Sequence, residues 1–471
     1  MNTIDSAAPL SGDHLFNYER GSAMRRYMTA YALAALAVSA LWGGVSGVLI
    51  PLHVQQIEFA RFFTGAMASV NLAELAALKV KIAAGAATAS ADQQRLLEAL
   101  AAYESAKAGS LAMIRSVAVA VAMLMWPLIG MASDRTRSRW GRRAPWILLG
   151  AITTLGGLIA LSCSTSVVQV LLAWVVVQIG INMTLGPLGA TVVDRMPAAQ
   201  RGQMSAVAGA GLVLGFILGM AIAGALVGRF GHGSYLIFAA AALSLTITFV
   251  LVSPDLPSTG MQQQATRLKA HLLSCTHALR DTDFRWVWGA RVLLMFGYAA
   301  AATYTVYMLQ SYIQPALTAA EAAKTVALLN LVALPGILLA MVIAGVWSDR
   351  VMRRKPFVIA ASFLLAASWA VPFLWPTLTA LYVQHVVGGM AFGIFLAIDQ
   401  ALLIDVLPNK GSAAGRDLGM GQLAANLGSL MGPLLAGAVL SATGGYRMIW
   451  LAALLLAVVA AFALMPLKRA K

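Results

Sequence analysis

The sequence predicts an all-α membrane protein: twelve transmembrane helices in two six-helix, pseudo-symmetric bundles. Three observations carry this. The 471 residues are 60% hydrophobic and only 11% charged, with a mean hydropathy of +0.79, whereas soluble domains carry about 25% charged residues. Apolar stretches recur that are long enough to cross a ~30 Å hydrocarbon core as helix. Short motifs after the second and fourth stretches return after the eighth and tenth.

Taken in order, the predicted spans are residues 27–57, 110–132, 144–163, 167–190, 203–228 and 234–252, then 284–313, 322–347, 356–375, 377–404, 418–440 and 446–464. They divide the chain into a tail 1–26, a first bundle 27–252, a central loop 253–283, a second bundle 284–466 and a tail 467–471. The central loop carries Pro254, Pro257 and a Gln262 to Gln264 run, which is linker chemistry, and a short amphipathic stretch, 268–279, suited to lying along a membrane surface. Residues 58–109 interrupt the symmetry. Leu96, Leu97, Leu100 and Tyr103 recur at helical spacing and Ser90 with Gln93 resembles a capping box, so this insertion reads as a helical hairpin. It is either a structural extension of the two spans or an outer lid.

A net charge of +15 could suit a nucleic-acid partner, but the basic residues form no single stripe. They follow topology instead. With the N-terminus inside, Arg25 and Arg26, the run Arg135 to Arg143, Arg195, Arg201, Arg350 to Lys355, Arg416 and the C-terminal lysines all fall on one side. The positive-inside rule then puts both termini in the cytoplasm, with a bacterial-type inner membrane as the expected location. The long first span, behind a polar tail, reads as a retained helix rather than a cleaved signal. Cys163 and Cys275 fall on opposite sides of the bilayer, which excludes a bridge between them.

The repeat can be measured. Gly130-Met-Ala-Ser-Asp134-Arg135 matches Gly345-Val-Trp-Ser-Asp349-Arg350 at an offset of 349 − 134 = 215, and Asp194-Arg-Met-Pro matches Asp405-Val-Leu-Pro at 405 − 194 = 211. Two motifs at nearly one offset imply duplication, and duplicated halves in carriers pack around a site near the bilayer midplane. A carboxylate at a helix end beside arginines can latch to a neighbouring helix N-terminus, whereas a plain topogenic loop would need only the arginines. The second copy favours the latch.

These residues resemble the major facilitator superfamily over essentially the whole chain. The long form Ser133-Asp-Arg-Thr-Arg-Ser-Arg-Trp-Gly-Arg-Arg143 is similar to the glycoside-pentoside-hexuronide and sucrose-transporter branch, as are Asp283 to Arg291 and Gly415-Arg-Asp-Leu-Gly419. Met352 departs from the pattern, standing where the family has glycine. The resemblance implies alternating access and a sugar or glycoside as solute. It also implies a gating set: Gly130, Asp134, Arg135, Arg142, Arg143, Gly345, Asp349 and Arg350, with Asp194, Arg201, Asp405 and Arg416. Asp134 would bridge to the second half and steady the outward-facing state. The carboxylates that melibiose-type relatives place on helices 2 and 4 have no match here, so protons are expected in preference to sodium.

Polar residues inside spans are functional candidates by default. Asp399 lies within the tenth span, either as a proton-coupling carboxylate or as half of a structural ion pair. Arg115, in the second span, either snorkels or meets an acidic substrate. Gln178 and Asn182, and Gln422 and Asn426, recur at i and i+4; Tyr304, Tyr307, Gln384 and His385 add further polar groups, and Trp42 and Trp126 could stack on a sugar. Each can equally bond another helix. Gly211, Gly215 and Gly219 mark tight packing of the fifth span.

No P-loop, nucleotide fingerprint or clustered metal ligands occur, so neither a cofactor nor catalysis is expected. The expected partners are a small solute, a proton and lipid, and the expected form is a monomer. Two rival readings are an exporter on the same scaffold and a non-transporting sensor.

Overall fold

Lipid offers no hydrogen bonds, so each apolar stretch must satisfy its own backbone, and in this chain each does so as helix. The computed structural model describes residues 21–83, 85–86, 88–196, 201–255, 257–259, 279–351, 353–406 and 414–467. Residues 268–278 of the predicted amphipathic stretch, which include Cys275, and Met352 lie outside the described residues. The helices are α1 (Ser22–Phe62), α2 (Leu72–Ala83), α3 (Ala91–Arg135), α4 (Ala144–Ser162), α5 (Val167–Arg195), α6 (Arg201–Phe230), α7 (Ser234–Val252), α8 (Thr282–Thr303), α9 (Thr305–Ser311), α10 (Ala319–Val351), α11 (Lys355–Leu374), α12 (Leu378–Asp405), α13 (Ala414–Thr443) and α14 (Arg447–Leu464).

Among the described residues, length and composition alone pick out ten spanning rods, or eleven when α8 and α9 are taken as one bent span. The twelfth comes from a reversal. A 3-10 turn, Gly231–Gly233, with Gly231 at φ 50°, separates α6 from α7. A side chain at Gly44 of α1 would meet both the Gly219 carbonyl and the Phe238 ring. Those residues would lie ~28 Å apart in one continuous helix, so the chain doubles back between them.

The halves repeat their packing. In the first, α1 lies against α6 and α7, and α4 against α5 and α7; in the second, α8 lies against α13 and α14, and α11 against α12 and α14. Small residues make the equivalent contacts. A side chain on Gly215 or Gly219 would strike the α1 backbone at Leu36 or Ala40, and one on Gly428 or Gly432 would strike α8 at Val292 or Ala300. The offsets are 428 − 215 = 213 and 432 − 219 = 213, so the duplication extends into the helix interfaces.

The first helix of each half is irregular. In α1 the stretch Val45–Leu49 is π-helical. Pro51 has no N–H, and the Ile50 N–H bonds to the Val45 carbonyl, so the Ser46 carbonyl loses its helical donor. In the second half, α8 and α9 meet at a 45° bend around Tyr304. The sequence predicts one uninterrupted span over 284–313. No glycine or proline marks the break, which coincides with a tertiary contact from the Tyr304 hydroxyl to the Ala108 carbonyl at 2.8 Å.

Residues 63–110 fold against the membrane-embedded helices. Phe63, Leu75, Leu100 and Tyr103 form a separate small core with Phe59 and Leu96. The capping box is present: Gln93 N donates to Ser90 Oγ at 3.3 Å and Ser90 N to Gln93 Oε1 at 3.0 Å. No boundary exists near residue 110. One helix, α3, runs from the hairpin through the bundle, with Pro127 the one proline inside it.

Candidate functional site

The two ends of the bundle are built differently. At the hairpin end the halves are joined. Gln55 and Gln310 exchange side-chain hydrogen bonds at 2.7 and 3.1 Å, Tyr307 donates to the Pro51 carbonyl at 2.8 Å, and Tyr304 donates to Ala108. Lys107 places its ammonium 4.8 Å from the ring centres of both Tyr103 and Tyr307. Ser105 and Ser441 approach at 3.4 Å, and Lys79 reaches the Gly444 carbonyl. Deeper in, Ser116 donates to the Leu430 carbonyl at 2.9 Å, and α6 packs on α10 where Gly224 meets the Ala323 backbone.

At the arginine-rich end the following ion pairs each lie inside one half. Asp194 on α5 accepts from Arg142 at 2.5 Å and from Arg143 at 3.0 Å, and Arg143 also holds Asp134 at 2.6 Å. Asp405 on α12 pairs with Arg354 at 2.8 Å. The second pair is the first repeated: 405 − 194 and 354 − 143 are both 211. Asp255 fastens the start of the central loop to the same cluster, pairing with Arg195 at 3.2 Å and accepting from the Arg143 N–H.

Asp134 therefore does not bridge to the second half in this state. Its partner belongs to its own half. Gly130 likewise faces open space and the nearest atom to Gly345 is Ala397 Cβ at 4.0 Å, so neither glycine mediates a close helix contact. Arg135 and Arg350 are exposed at the arginine-rich end. The side chains of Asp349, Arg201 and Arg416 lie outside the described residues.

Residues of both halves line a cavity of about 290 Å³. Of the residues singled out in the sequence, Trp42, Arg115, Gln178, Gln384 and His385 line it. Trp42 also packs on Phe216 at 5.2 Å between ring centres. The others stand elsewhere. Tyr304 and Tyr307 are fully buried in the hairpin-end closure, where they bond backbone rather than a solute. Asn182 donates to the Gln178 carbonyl of its own helix, and Gln422 and Asn426 bond each other at 3.2 Å. Trp126 is exposed on α3, away from the lining. Asp399 is buried against Arg291 at 3.0 Å and Arg291 also holds Gln400, so the ion-pair alternative describes its contacts in this state.

The structure adds residues that sequence reasoning passed over. Trp174, Trp369 and Trp450 line the cavity with Asn330 and Tyr298. A sequence signal existed for the tryptophans: they sit inside spans, whereas membrane tryptophans gather at the interfaces. Four buried lining atoms make no hydrogen bond within the protein: Gln178 Oε1, Gln384 Oε1, Trp450 Nε1 and Arg115 Nε. Two acceptors and two donors without partners thus belong to residues that line one aromatic-walled space. Buried polar groups are normally paired, so this set is suited to a polar guest.

The Major Facilitator Superfamily model matches residues 59–336 and 304–471. The chain belongs to the major facilitator superfamily. Solved structures of this superfamily's kind share the fold at low identity. A bacterial homologue of the human lysosomal transporter Spinster, inward-facing and occupied, aligns with a TM-score of 0.66 and 16% identity over 94% of this chain and 97% of that one. The nucleoside transporter NupG aligns with a TM-score of 0.64 and 15% identity over 94% and 100%. The human organic anion transporter MFSD10 gives 0.60 and 18% over 95% and 100%. An uncharacterized symporter of Synechocystis sp. is 51% identical over 53 residues, which is 11% of this facilitator and 9% of that protein's length.

Proposed function

We propose that this facilitator is a secondary carrier that moves a small polar organic solute across the membrane by alternating access. One observation carries the reading: Gln178, Gln384, Trp450 and Arg115, each with a buried polar atom that makes no hydrogen bond within the protein, line one cavity walled by four tryptophans. A polar guest would satisfy those atoms, and the indole faces suit the apolar side of a glycoside or sugar. The loop motifs support the same class by resemblance.

The arginine-rich end is cytoplasmic on the positive-inside rule, which makes the hairpin external and the state open to the cytoplasm. Proton symport is the favoured coupling, supported by the short match to a symporter. Two groups are its candidates. Asp399 is held by Arg291, while His385 lines the cavity with Nδ1 2.9 Å from the Leu381 carbonyl, so that nitrogen carries the proton and Nε2 is left as an acceptor. Uptake of labelled glycosides and sugar acids into proteoliposomes, with and without an imposed pH gradient, tests the reading. Accumulation that requires the gradient supports it; equal, gradient-independent equilibration of every compound removes the coupling, and no flux at all removes the carrier.

A further inference from the structure

Arg115 sits where the two irregular helices meet. Its Nη2 donates at 3.0 Å to the Ser46 carbonyl, the group left without a helical donor by Pro51. Its Nη1 lies 3.5 Å from the Ala302 carbonyl, at the bend between α8 and α9. Its Nε makes no hydrogen bond, and the side chain lines the cavity. One guanidinium therefore touches the discontinuity of the first helix of each half and also the solute space.

Its charge has no answer in the protein. Among the described residues no carboxylate pairs with Arg115, and none of the cavity-lining residues is acidic. The acids nearest on neighbouring elements are engaged elsewhere: Glu104 with Lys79, and Glu58 with Ser110 and Arg61. Lys107, two turns earlier on α3, adds a second cation, and the tyrosines around it, Tyr304 and Tyr307, are neutral donors. Holding an uncompensated cation inside a membrane bundle is costly unless a counter-charge arrives.

We infer that the solute of this carrier is an organic anion, a carboxylate-bearing sugar acid or glycoside, and that Arg115 is the residue that grips it. The inference rests on the carrier reading and narrows its substrate. Carbonyl contacts to Ser46 and Ala302 hold the two Nη groups and leave Nε without a partner, so a carboxylate must draw the side chain toward the cavity to engage it. The contact to Ala302 is the longer of the two, so a carboxylate drawing the guanidinium inward releases the second half first. Binding then loosens the closure that must open for the other state. A proton travelling with a monoanion would make the step electrically neutral.

The test uses the full chain in detergent and the tryptophans of the cavity as reporters. Iodide, caesium and acrylamide are compared as quenchers in the wild type, Arg115→Gln and Arg115→Lys. Iodide quenching is expected to fall by about half in the glutamine variant and to recover in the lysine variant, while acrylamide quenching, which reports an open folded cavity, is the same in all three. Glucuronate, gluconate and lactate are then added against iodide, each beside its methyl ester. The acids should protect and the esters should not. Iodide quenching unchanged in Arg115→Gln, esters protecting as well as acids, or protection by no acid overturns the inference. Protection by an acid that is never taken up by proteoliposomes leaves the anion site standing and removes the carrier reading instead.

Discussion

Gln55 and Gln310, 255 residues apart, hold each other's side-chain amides at 2.7 and 3.1 Å across the junction of the two halves. The pair exists only while the hairpin end is closed, so it weights one conformation against the other. Interhelical hydrogen bonds in membrane proteins average about 0.6 kcal/mol. Replacing Gln55 with Leu should therefore cost about 1 kcal/mol of closure and raise the population open at the hairpin end about fivefold. Thiol labelling of a cysteine introduced at Ser46 from the hairpin side reads this directly; an unchanged labelling rate would show the pair to be incidental.

The repeated ion pair predicts unequal costs in the two halves. Asp194 is mostly buried and receives two arginines, whereas Asp405 is about 40% exposed and receives one. Asp194→Asn should cost about 2 kcal/mol and Asp405→Asn less than about 1 kcal/mol, since exposed pairs contribute little. Thermal unfolding of the two variants checks the order, which is wrong if Asp405→Asn melts first.

Asp399 and Arg291 are both buried, at 5% and 12% side-chain exposure. Removing one partner strands the other charge, so Asp399→Asn should lower stability by about 3 kcal/mol and Asp399→Asn with Arg291→Gln should restore most of it. Uptake separates structure from coupling. If the refolded double variant still accumulates solute against its gradient on a pH difference, Asp399 carries no proton and His385 is the group to replace next.

Two glycines of similar sequence setting should behave oppositely. Gly219→Ala drives a methyl group into the Ala40 backbone and should destabilise by about 2 kcal/mol or more, because backbone cannot step aside as a flexible side chain can. Gly130→Ala meets nothing within 4 Å and should leave the melting temperature unchanged. A loss of stability in Gly130→Ala would mean that this helical glycine packs in the other conformation of the carrier.

Much of the fold was legible because lipid imposes few rules and imposes them strictly. Long apolar runs, a one-sided distribution of arginine and two motifs at offsets of 215 and 211 were enough for twelve helices in two related halves. The glycine pairs at 213 were equally visible, but only Gly215 and Gly219 stand in an obvious glycine-rich run; Gly428 and Gly432 are diluted by serine, leucine and methionine. The site was harder. Gln178, Gln384, His385 and Trp42 were found as polar or aromatic groups in spans, yet the same logic placed Tyr304 and Tyr307 in the cavity. Period alone cannot tell a helix face turned to the cavity from one turned to the partner half. The bend at Tyr304 had no local signal, since its contact lies 196 residues away at Ala108.

The uninterrupted α3 has a mechanical consequence. Forty-five residues make a rod of ~68 Å, more than twice the thickness of the hydrocarbon core. Because the same rod bears Arg115 inside and the hairpin contacts at its tip, rocking of the first half is magnified at the tip as at the end of a lever. A binding protein raised against α2 would thus act as a strain gauge on the transport cycle. It could lock or report either state from the aqueous side, without ever entering the cavity.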